Sequence, residues 1–484
     1  MGEQPDGDVL RDRRRKLDAL RAAGVQPFPH EFRGVAPIAD ARAAHRGLAA
    51  GQETDVSHRV AGRLVARRGQ GKMAFLDLED RSGRIQLQAR ADVLGEQRME
   101  RLLSLDLGDL LGVDGTAFAS RRGELTLRVD SFTLLAKSLR PPPDKHHGLT
   151  DVETRYRRRE LDLIANAQAR ELFITRARVI SAARRFLDDE GFVEVETPVL
   201  QPLYGGAMAR PFATHHNALD RELYLRIATE LYLKRLIVGG LERVYEIGKD
   251  FRNEGVDTTH NPEFTMLEFY EAYADYNDIA TRCEQLVWAV AQAVGYKGEV
   301  DFAPPWKRET LAGAILERIG IDVLALRERG ALAAAMRAQG LAAGDDDTWP
   351  QLVDELVSER VEPTLVAPTF LLDFPVEISP LAKDHRSVPG LVERFEAYIG
   401  GMEIANAFTE LNDPDEQRRR FEQQRRFAAA GDEEAQPYDE TFVRALEQGM
   451  PPTGGIGIGI DRLVMLITGM RSIREVVLFP AMRS

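Results

Sequence analysis

The sequence predicts an α+β chain, with a small antiparallel β-barrel followed by a larger domain built on a mostly antiparallel sheet. Three observations lead there. Between residues 55 and about 135 lie five short strand-like segments, with one helical stretch between the third and the fourth. A break follows, "RPPPDKHHG" at 140–148, which has no periodicity and reads as a linker. Beyond it, strands recur at 223–270 and 369–411 without the regular strand–helix alternation of a parallel sheet. The chain has 484 residues and a hydrophobic fraction of 44%, enough for two or three domains with sizeable cores.

Taken in order, residues 8–24 read as a charged helix within an N-terminal helical extension, 1–54. The barrel, 55–140, is carried by "HRVAGRLVARR", "KMAFLDLED", "GRIQLQAR", "DLLGVDGTAF" and "ELTLRVDSF", with "ADVLGEQRMERLLSL" as the helix after the third. Three strands, a helix and two strands is the element order of an OB-fold. Alternation turns Leu76, Leu78, Ile85, Leu87, Leu125, Leu127 and Val129 inward, leaving Phe75, Gln86 and Glu124 free to sit on the polar face. A ring beside amide and carboxylate groups suits unpaired bases, which stack on aromatics and hydrogen-bond through their edges. The plainer reading of Phe75 is a surface ring covering a barrel end.

The linker is assigned to 141–155 and the larger domain to 156–484. "ELFITRARVISAARRFLDDEGF" places Phe173, Ala177, Ile180, Ala183 and Leu187 on one helical face, with Gly191 as C-terminal cap. "FVEVETPVL" reads as a strand stopped near Pro198, and an Ala- and Leu-rich stretch around 290–360 as a helical insertion.

Composition excludes several classes. Lys plus Arg number 64 and Asp plus Glu 77, a net charge of −13, so the chain does not coat nucleic acid by bulk charge. Local basic runs such as "RDRRRK" at 11–16 and "RYRRR" at 155–159 leave localised contacts open. A single cysteine, Cys283, rules out an internal disulfide and a thiolate metal cluster, and points to a reducing, cytoplasmic setting. No apolar run approaches 18 residues, and the charged N-terminus lacks the apolar centre of a signal peptide, so no membrane association is expected.

Three polar clusters carry the chemistry. In "VYEIGKDFRNEGVDTTHNPEFTMLEFYEAY" Arg252 and Glu254 share one face, Phe264, Met266, Glu268 and Tyr270 another, on two strands of a hairpin looped by "GVDTTHNP". Glu268 and Tyr270 are wasted in ordinary core, because a lone buried carboxylate is costly. Arg252 offers a fork for carboxylate or phosphate and Phe264 a ring for a base. His260 could reach a phosphate from the loop, or be simply solvated. "TGGIGIGIDR" is no dinucleotide fingerprint, which needs Gly-x-Gly-x-x-Gly in a βαβ unit. Its isoleucines alternate with glycines, giving an apolar face and a bare one. Asp461 is placed to cap the next helix and Arg462 to bind an anion at its start. In "RFEAYIGGMEIANAFTELND" the acids are Glu396, Glu403 and Glu410; Asn406, Phe408 and Glu410 share strand parity but Glu403 does not, so joining these four in one site requires a bulge or turn between 403 and 406. Surface charge is the alternative for these acids.

Together these stretches, with "GFVEVETPVL", "GGAMARPFATHHNALDRELYLRIATELYLKRL" and "PVEISPLAKDHR", resemble the signature motifs of class II aminoacyl-tRNA synthetases, most closely lysyl-tRNA synthetases of bacterial type. The resemblance runs over roughly 55–484. It implies a class II antiparallel-sheet catalytic domain behind an OB-fold that reads the anticodon. It further implies a homodimer with the segment from Phe192 to Pro198 at its interface. The implied reaction is activation of L-lysine by ATP, with Mg2+ as cofactor, and transfer to the terminal ribose of tRNA(Lys). By the same resemblance Arg252 contacts the α-phosphate and the lysine carboxylate. Glu254, His260 and Asn261 contact ATP, Phe264 stacks on adenine, Arg462 holds the γ-phosphate, and Glu396 and Glu403 bind magnesium. Glu230, Glu268, Tyr270, Asn406, Phe408 and Glu410 form the lysine pocket, while Phe75, Gln86 and Glu124 meet a uridine-rich anticodon. Thr229 stands where the family usually has Pro, which implies a small backbone change. Aspartyl- or asparaginyl-tRNA synthetases share the architecture, but their pockets need cationic or amide groups. A synthetase-like nucleic-acid-binding regulator would be free to lose Arg252, Glu403 or Arg462, all present here.

Overall fold

The computed structural model describes residues 6–69, 71–143, 149–344, 347–429 and 436–482, so most of the break at 140–148 lies outside the described residues. The chain divides into two compact units, 1–150 and 151–484. The helix Val152–Arg157, capped by the Asp151 side chain, starts inside the stretch assigned to the linker, so the ordered part of the second unit begins earlier than 156.

In the first unit, strands β1 (Glu53–Arg68), β2 (Met73–Asp80), β3 (Gly83–Arg90), β4 (Leu110–Ala119) and β5 (Leu125–Ala136) close a barrel in the order β1-β2-β3-β5-β4. The β3–β5 pair is parallel and the other pairs are antiparallel. Leu76, Leu78, Ile85, Leu87, Leu127 and Val129 fill the interior, as alternation predicts, while Leu125 is only half-buried at the strand's start. The helical stretch between β3 and β4 is broken at Gly95, whose φ of 78° favours a residue without Cβ, into Ala91–Leu94 and Glu96–Ser104.

In the second unit, strands β6 (Val193–Glu194), β7 (Leu200–Gln201), β8 (Ala213–His216) and β9 (Arg221–Leu225) precede the central ones. The latter are β10 (Arg243–Phe251), β11 (Glu263–Ala272), β12 (Lys307–Thr310), β13 (Thr369–Pro375), β14 (Leu391–Ile399), β15 (Met402–Thr409) and β16 (Thr453–Gly459). They form an eight-stranded sheet, β12-β13-β14-β15-β16-β11-β10-β6, and a small sheet β7-β9-β8. Only the two outer pairs of the large sheet, β12–β13 and β10–β6, are parallel. The segment read as one strand, "FVEVETPVL", is two fragments of two residues in different sheets, interrupted by Pro198, which cannot donate to a ladder.

One face of the large sheet is apolar. Tyr245, Leu267, Phe269, Ile456, Ile458, Ala405, Ala407, Phe395 and Ala397 pack there with the helix Tyr276–Val294 into a single core. That helix starts at a reciprocal Asp275/Asp278 capping box and ends before Gly295 in a left-handed turn. The helix Ala167–Asp189 buries Val179, Ala183 and Leu187, but Ala177 is exposed and Phe173 half-buried. The predicted face therefore holds in the helix's second half, where Ile180, Ala183 and Leu187 meet the core, and not in the first, where Arg176 turns toward Asp461. Helices Leu311–Ile319, Arg329–Ala338 and Trp349–Leu356 make a second core with the other face of β13 and β14, in the region predicted as helical insertion. Among the described residues no helix is long and apolar enough to cross a membrane.

Ile458 is fully buried between Leu267 and Ala405 on the neighbouring strands. Ile458→Ala should cost about 3 kcal/mol, as cavity-forming core truncations do. Chemical denaturation read by circular dichroism would show the midpoint falling with the slope unchanged.

Candidate active site

The opposite face of the same five strands is polar, and register explains why. Directly opposed pairs share a face, so Glu246 and Glu268, and Asp250 and Phe264, come together across β10 and β11. Glu268 then meets Gly457, and Tyr270 meets Gly455, on β16. Gly457 meets Asn406 and Gly455 meets Phe408 on β15, and these face Glu396 and Arg394 on β14. The glycines of β16 leave the floor open: a Cβ at Gly455 would strike Glu410 and Tyr270. The register between β14 and β15 slips where Ala397 opposes Ala405 but Tyr398 opposes Glu403. This is the bulge that the parity of Glu403 required, and it turns Glu403 to the polar side.

All fourteen residues singled out in this unit (Glu230, Arg252, Glu254, His260, Asn261, Phe264, Glu268, Tyr270, Glu396, Glu403, Asn406, Phe408, Glu410 and Arg462) border one cavity of about 390 Å³. Two placements differ from the sequence reading. Arg252 and Glu254 are not on a hairpin arm: β10 ends at Phe251, and both lie in the 252–262 loop, Glu254 exposed at its rim. Arg252 is tied there by its N–H to the Pro262 carbonyl (2.9 Å), with its guanidinium 5.0 Å from the Phe264 ring centre. Asp461 does not cap the helix Ile460–Thr468, whose N-cap is Gly459. Its carboxylate accepts instead from the Thr265 N–H (2.7 Å) and Arg176 (2.5 Å), which fastens that helix to β11.

The cavity has two chemically different ends. At the outer end, Arg462 donates to the Glu403 carbonyl (2.7 Å) and carboxylate (3.1 Å), and its other amino group lies 3.2 Å from His260 Nε2. His260 Nδ1 is 2.8 Å from Asp257, which backbone N–H groups and His260 hold down at about 2 despite opposing desolvation. The Asn261 amide bonds the Glu263 carbonyl (2.6 Å). Glu396 is pushed up to about 7 by burial, with Arg394 opposing and the Glu403 charge reinforcing. Arg394 was not foreseen. It bonds Glu396 (2.5 Å), Asn406 (3.1 Å) and the Ile378 carbonyl (2.9 Å), between the rings of Phe374 and Phe408. Its strand parity with Glu396 was the available signal.

The closed end is acidic. Glu230 opens the helix Glu230–Val238, and with Glu268 and Glu410 it is at most 5% exposed. Glu268 accepts from the Thr229 N–H (3.1 Å) and the Tyr270 hydroxyl (3.2 Å). A proline at 229 could not make the first bond, so the departure seen in sequence adds a donor. Burial, then Asp250 and Glu230, push Glu268 up to about 8. Burial also lifts Glu410 to about 8, with Lys234 opposing. Such an end accepts a cation that can replace lost hydration and satisfy the acids.

On the barrel, Phe75 and Gln86 are half-exposed on neighbouring strands, and Glu124 is exposed just before β5. The Thr126 hydroxyl lies 3.1 Å from both Gln86 Oε1 and the Glu124 carbonyl, so the latter two sit side by side. Arg128, also on that face, reaches toward the Phe118 ring (5.9 Å), an aromatic that the sequence reading passed over.

With Glu268 and Glu410 partly protonated below pH 8, a primary ammonium ligand must displace protons to bind. Its affinity should therefore rise from pH 6 to pH 8. Calorimetry in buffers of different ionisation enthalpy should show proton release at pH 7 that vanishes near pH 9.

Comparison with known proteins agrees with this architecture. Residues 151–483 match the family described as tRNA synthetases class II (D, K and N), and residues 58–135 match the OB-fold nucleic acid binding domain. A protein of Synechococcus sp. (strain CC9311) named lysine–tRNA ligase is 53% identical over 98% of this chain and 99% of its own. Proteins of the same name from Chloroflexus aurantiacus and Carboxydothermus hydrogenoformans are 54% and 48% identical, over 98% and 100% of this chain and 98% and 99% of theirs. A synthetase sheet with one face given to a charged cavity, preceded by a nucleic-acid-binding barrel and matched over nearly its whole length, places the chain in the family of class II tRNA synthetases (D, K and N).

Proposed function

We propose that the chain joins L-lysine to tRNA(Lys), forming lysyl-adenylate from lysine and ATP with release of pyrophosphate, then passing the lysyl group to the 3′-terminal ribose. One observation carries this reading: the closed end of the cavity holds three buried carboxylates and a tyrosine, the complement of an ammonium. Aspartate or asparagine would meet like charge or unpaired acids there.

The two ends divide the work. The lysine side chain enters the acidic end, against Glu230, Glu268, Tyr270 and Glu410, with Asn406 and Phe408 along its length. Arg252, beyond them, neutralises the lysine carboxylate and the α-phosphate, the two anions whose repulsion opposes reaction. Phe264 offers its ring to adenine, while Glu254, His260 and Asn261 surround the nucleotide and Arg462 holds the γ-phosphate. A carboxylate oxygen attacks the α-phosphorus, the bond to the β-phosphate bridging oxygen breaks, and pyrophosphate leaves. The ribose hydroxyl then attacks the activated carbonyl and AMP departs. No side chain becomes covalently linked to substrate.

Glu396 and Glu403 are the residues that would hold Mg2+. Their charges oppose each other across neighbouring strands, which a divalent cation would relieve. Among the described residues no group of three or more acid, histidine or cysteine side chains could cage a metal by itself. Two hard oxygen donors therefore suit an ion that arrives partly ligated by phosphate. When bound, the ion supplies charge neutralisation at the phosphate oxygens.

The remaining assignments rest on surface features. Phe75, Gln86 and Glu124 would receive a uridine-rich anticodon on the barrel face. A homodimer is supported by exposed apolar residues in the segment after Phe192: Val193 on the two-residue edge strand β6 of the large sheet, and Val199 and Leu200 beyond it. A protein of this activity works in the cytoplasm.

ATP–pyrophosphate exchange with each amino acid in turn tests the reading. Lysine should support exchange, and exchange with aspartate in its place would overturn it. Glu230→Gln should raise the lysine KM at least about tenfold, the scale of one charged hydrogen bond, with the ATP KM nearly unchanged. Phe75→Ala should raise the tRNA KM about tenfold, as losing one stacked base does, and leave exchange untouched.

A further inference from the structure

Lys234 takes no part in that scheme, yet it is the most deeply placed charge near the cavity, with an exposure of 0%. It lies one turn after Glu230 on the helix Glu230–Val238, behind the residues that border the cavity. Its ammonium is 2.5 Å from Glu230 Oε1 and 2.5 Å from Glu410 Oε2, so it clamps a carboxylate of the helix to one that follows β15. We propose that Lys234 is a positioning residue for amino-acid selection, a resident ammonium that holds Glu230 and Glu410 together so that three buried carboxylates can accept a second, incoming one. The proposal rests on the lysine reading above and deepens it.

The charges support this. Glu268 is held by neutral donors, the Thr229 N–H and the Tyr270 hydroxyl. Lys234 donates to Glu230 and makes an ion pair with Glu410 Oε2, but neither oxygen of Glu410 has a partner in hydrogen-bond geometry among the described residues, and Oε1 faces Gly455. The groups that act on this cluster come from every neighbouring element: Glu230 and Lys234 from the helix, Glu268 and Tyr270 from β11, Asp250 from β10, Arg394 from β14, and Glu410. Lys234 and Arg394 are the cations among them. Arg394 is already engaged by Glu396 and Asn406, which leaves Lys234 as the charge that separates the acids. Without it, facing carboxylates would share protons, and a protonated acid is a poor partner for an ammonium. Replacing the lysine alone would leave two buried carboxylates without their counter-charge, so they would take up protons or destabilise the fold.

Lys234→Met and Lys234→Gln in the full chain test this by ATP–pyrophosphate exchange from pH 6.5 to 9, alongside thermal unfolding. The expected result is a lysine KM raised roughly 30-fold at pH 7, on the scale of a lost charged contact, with the ATP KM within about twofold. Between pH 8 and 9 the variant's lysine KM should fall more steeply than the wild type's, because its acids ionise later while substrate ammonium stays charged to about pH 10. Should Lys234→Met not fold, Lys234→Gln, which removes the charge but keeps a polar donor on a shorter side chain, is read in the same way. A folded variant with lysine KM within about twofold of wild type overturns the proposal. So do lysine and ATP KM values rising in parallel, or the failure of both variants to fold, which would make Lys234 a stability residue. The wild type separates this from the wider reading: if it supports no lysine-dependent exchange, the function assignment fails; if it does, the variant ratios alone decide the role of Lys234.

Discussion

The large sheet must be apolar on one side and charged on the other, and strand Thr453–Gly459 is where the two demands meet. Its isoleucines enter the core between Leu267 and Ala405, while its glycines leave the other side bare. Any side chain at Gly455 would occupy the space that Glu410 and Tyr270 take. Because strand residues alternate, the same register that buries Ile456 and Ile458 also sets Glu268, Asn406 and Glu396 on one surface. A one-residue slip would put carboxylates into the core and isoleucines into the cavity. Core packing and site geometry are therefore one constraint, and the energy of burying the apolar face holds the charged face in place.

Charge is managed by pairing within the protein rather than by exposure. Arg394 restrains Glu396, Lys234 bridges Glu230 and Glu410, Arg462 rests on Glu403, and Asp461, held by Arg176, ties the helix Ile460–Thr468 to β11. All but the partly exposed Arg462–Glu403 pair satisfy a group whose burial would otherwise be costly. At the acidic end the pairing is incomplete: three carboxylates face one lysine, and the deficit is one that a cationic ligand can fill. The outer end has arginine and histidine near the acids of β14 and β15, a mixture suited to phosphate accompanied by a divalent cation.

Much of the site was legible because strand alternation is a strong local signal. Phe264, Met266, Glu268 and Tyr270 could be placed on one face from spacing alone, and the odd parity of Glu403 already demanded the bulge found between β14 and β15. Other features left no such mark. Arg394 looks like any charge in a strand until Glu396, Asn406 and two rings are seen around it. Asp461 sits in a capping-like position, but its partners, Thr265 and Arg176, are distant in sequence. On the helix Ala167–Asp189 the predicted face fails at Ala177, which is exposed, because an alanine leaves the inward direction undetermined.

Sequence by itself determined the strands, their polar and apolar faces, the barrel's element order and the residues that carry charge into apolar surroundings, since all of these follow from local periodicity and residue chemistry. Tertiary structure alone decided which charges are paired with which, where β10 ends and leaves Arg252 in a loop, and that Lys234 lies behind the acids rather than on the surface. Those outcomes depend on contacts between segments tens to hundreds of residues apart. Their free energies come from desolvation and Coulomb terms, set by distances that no local pattern records.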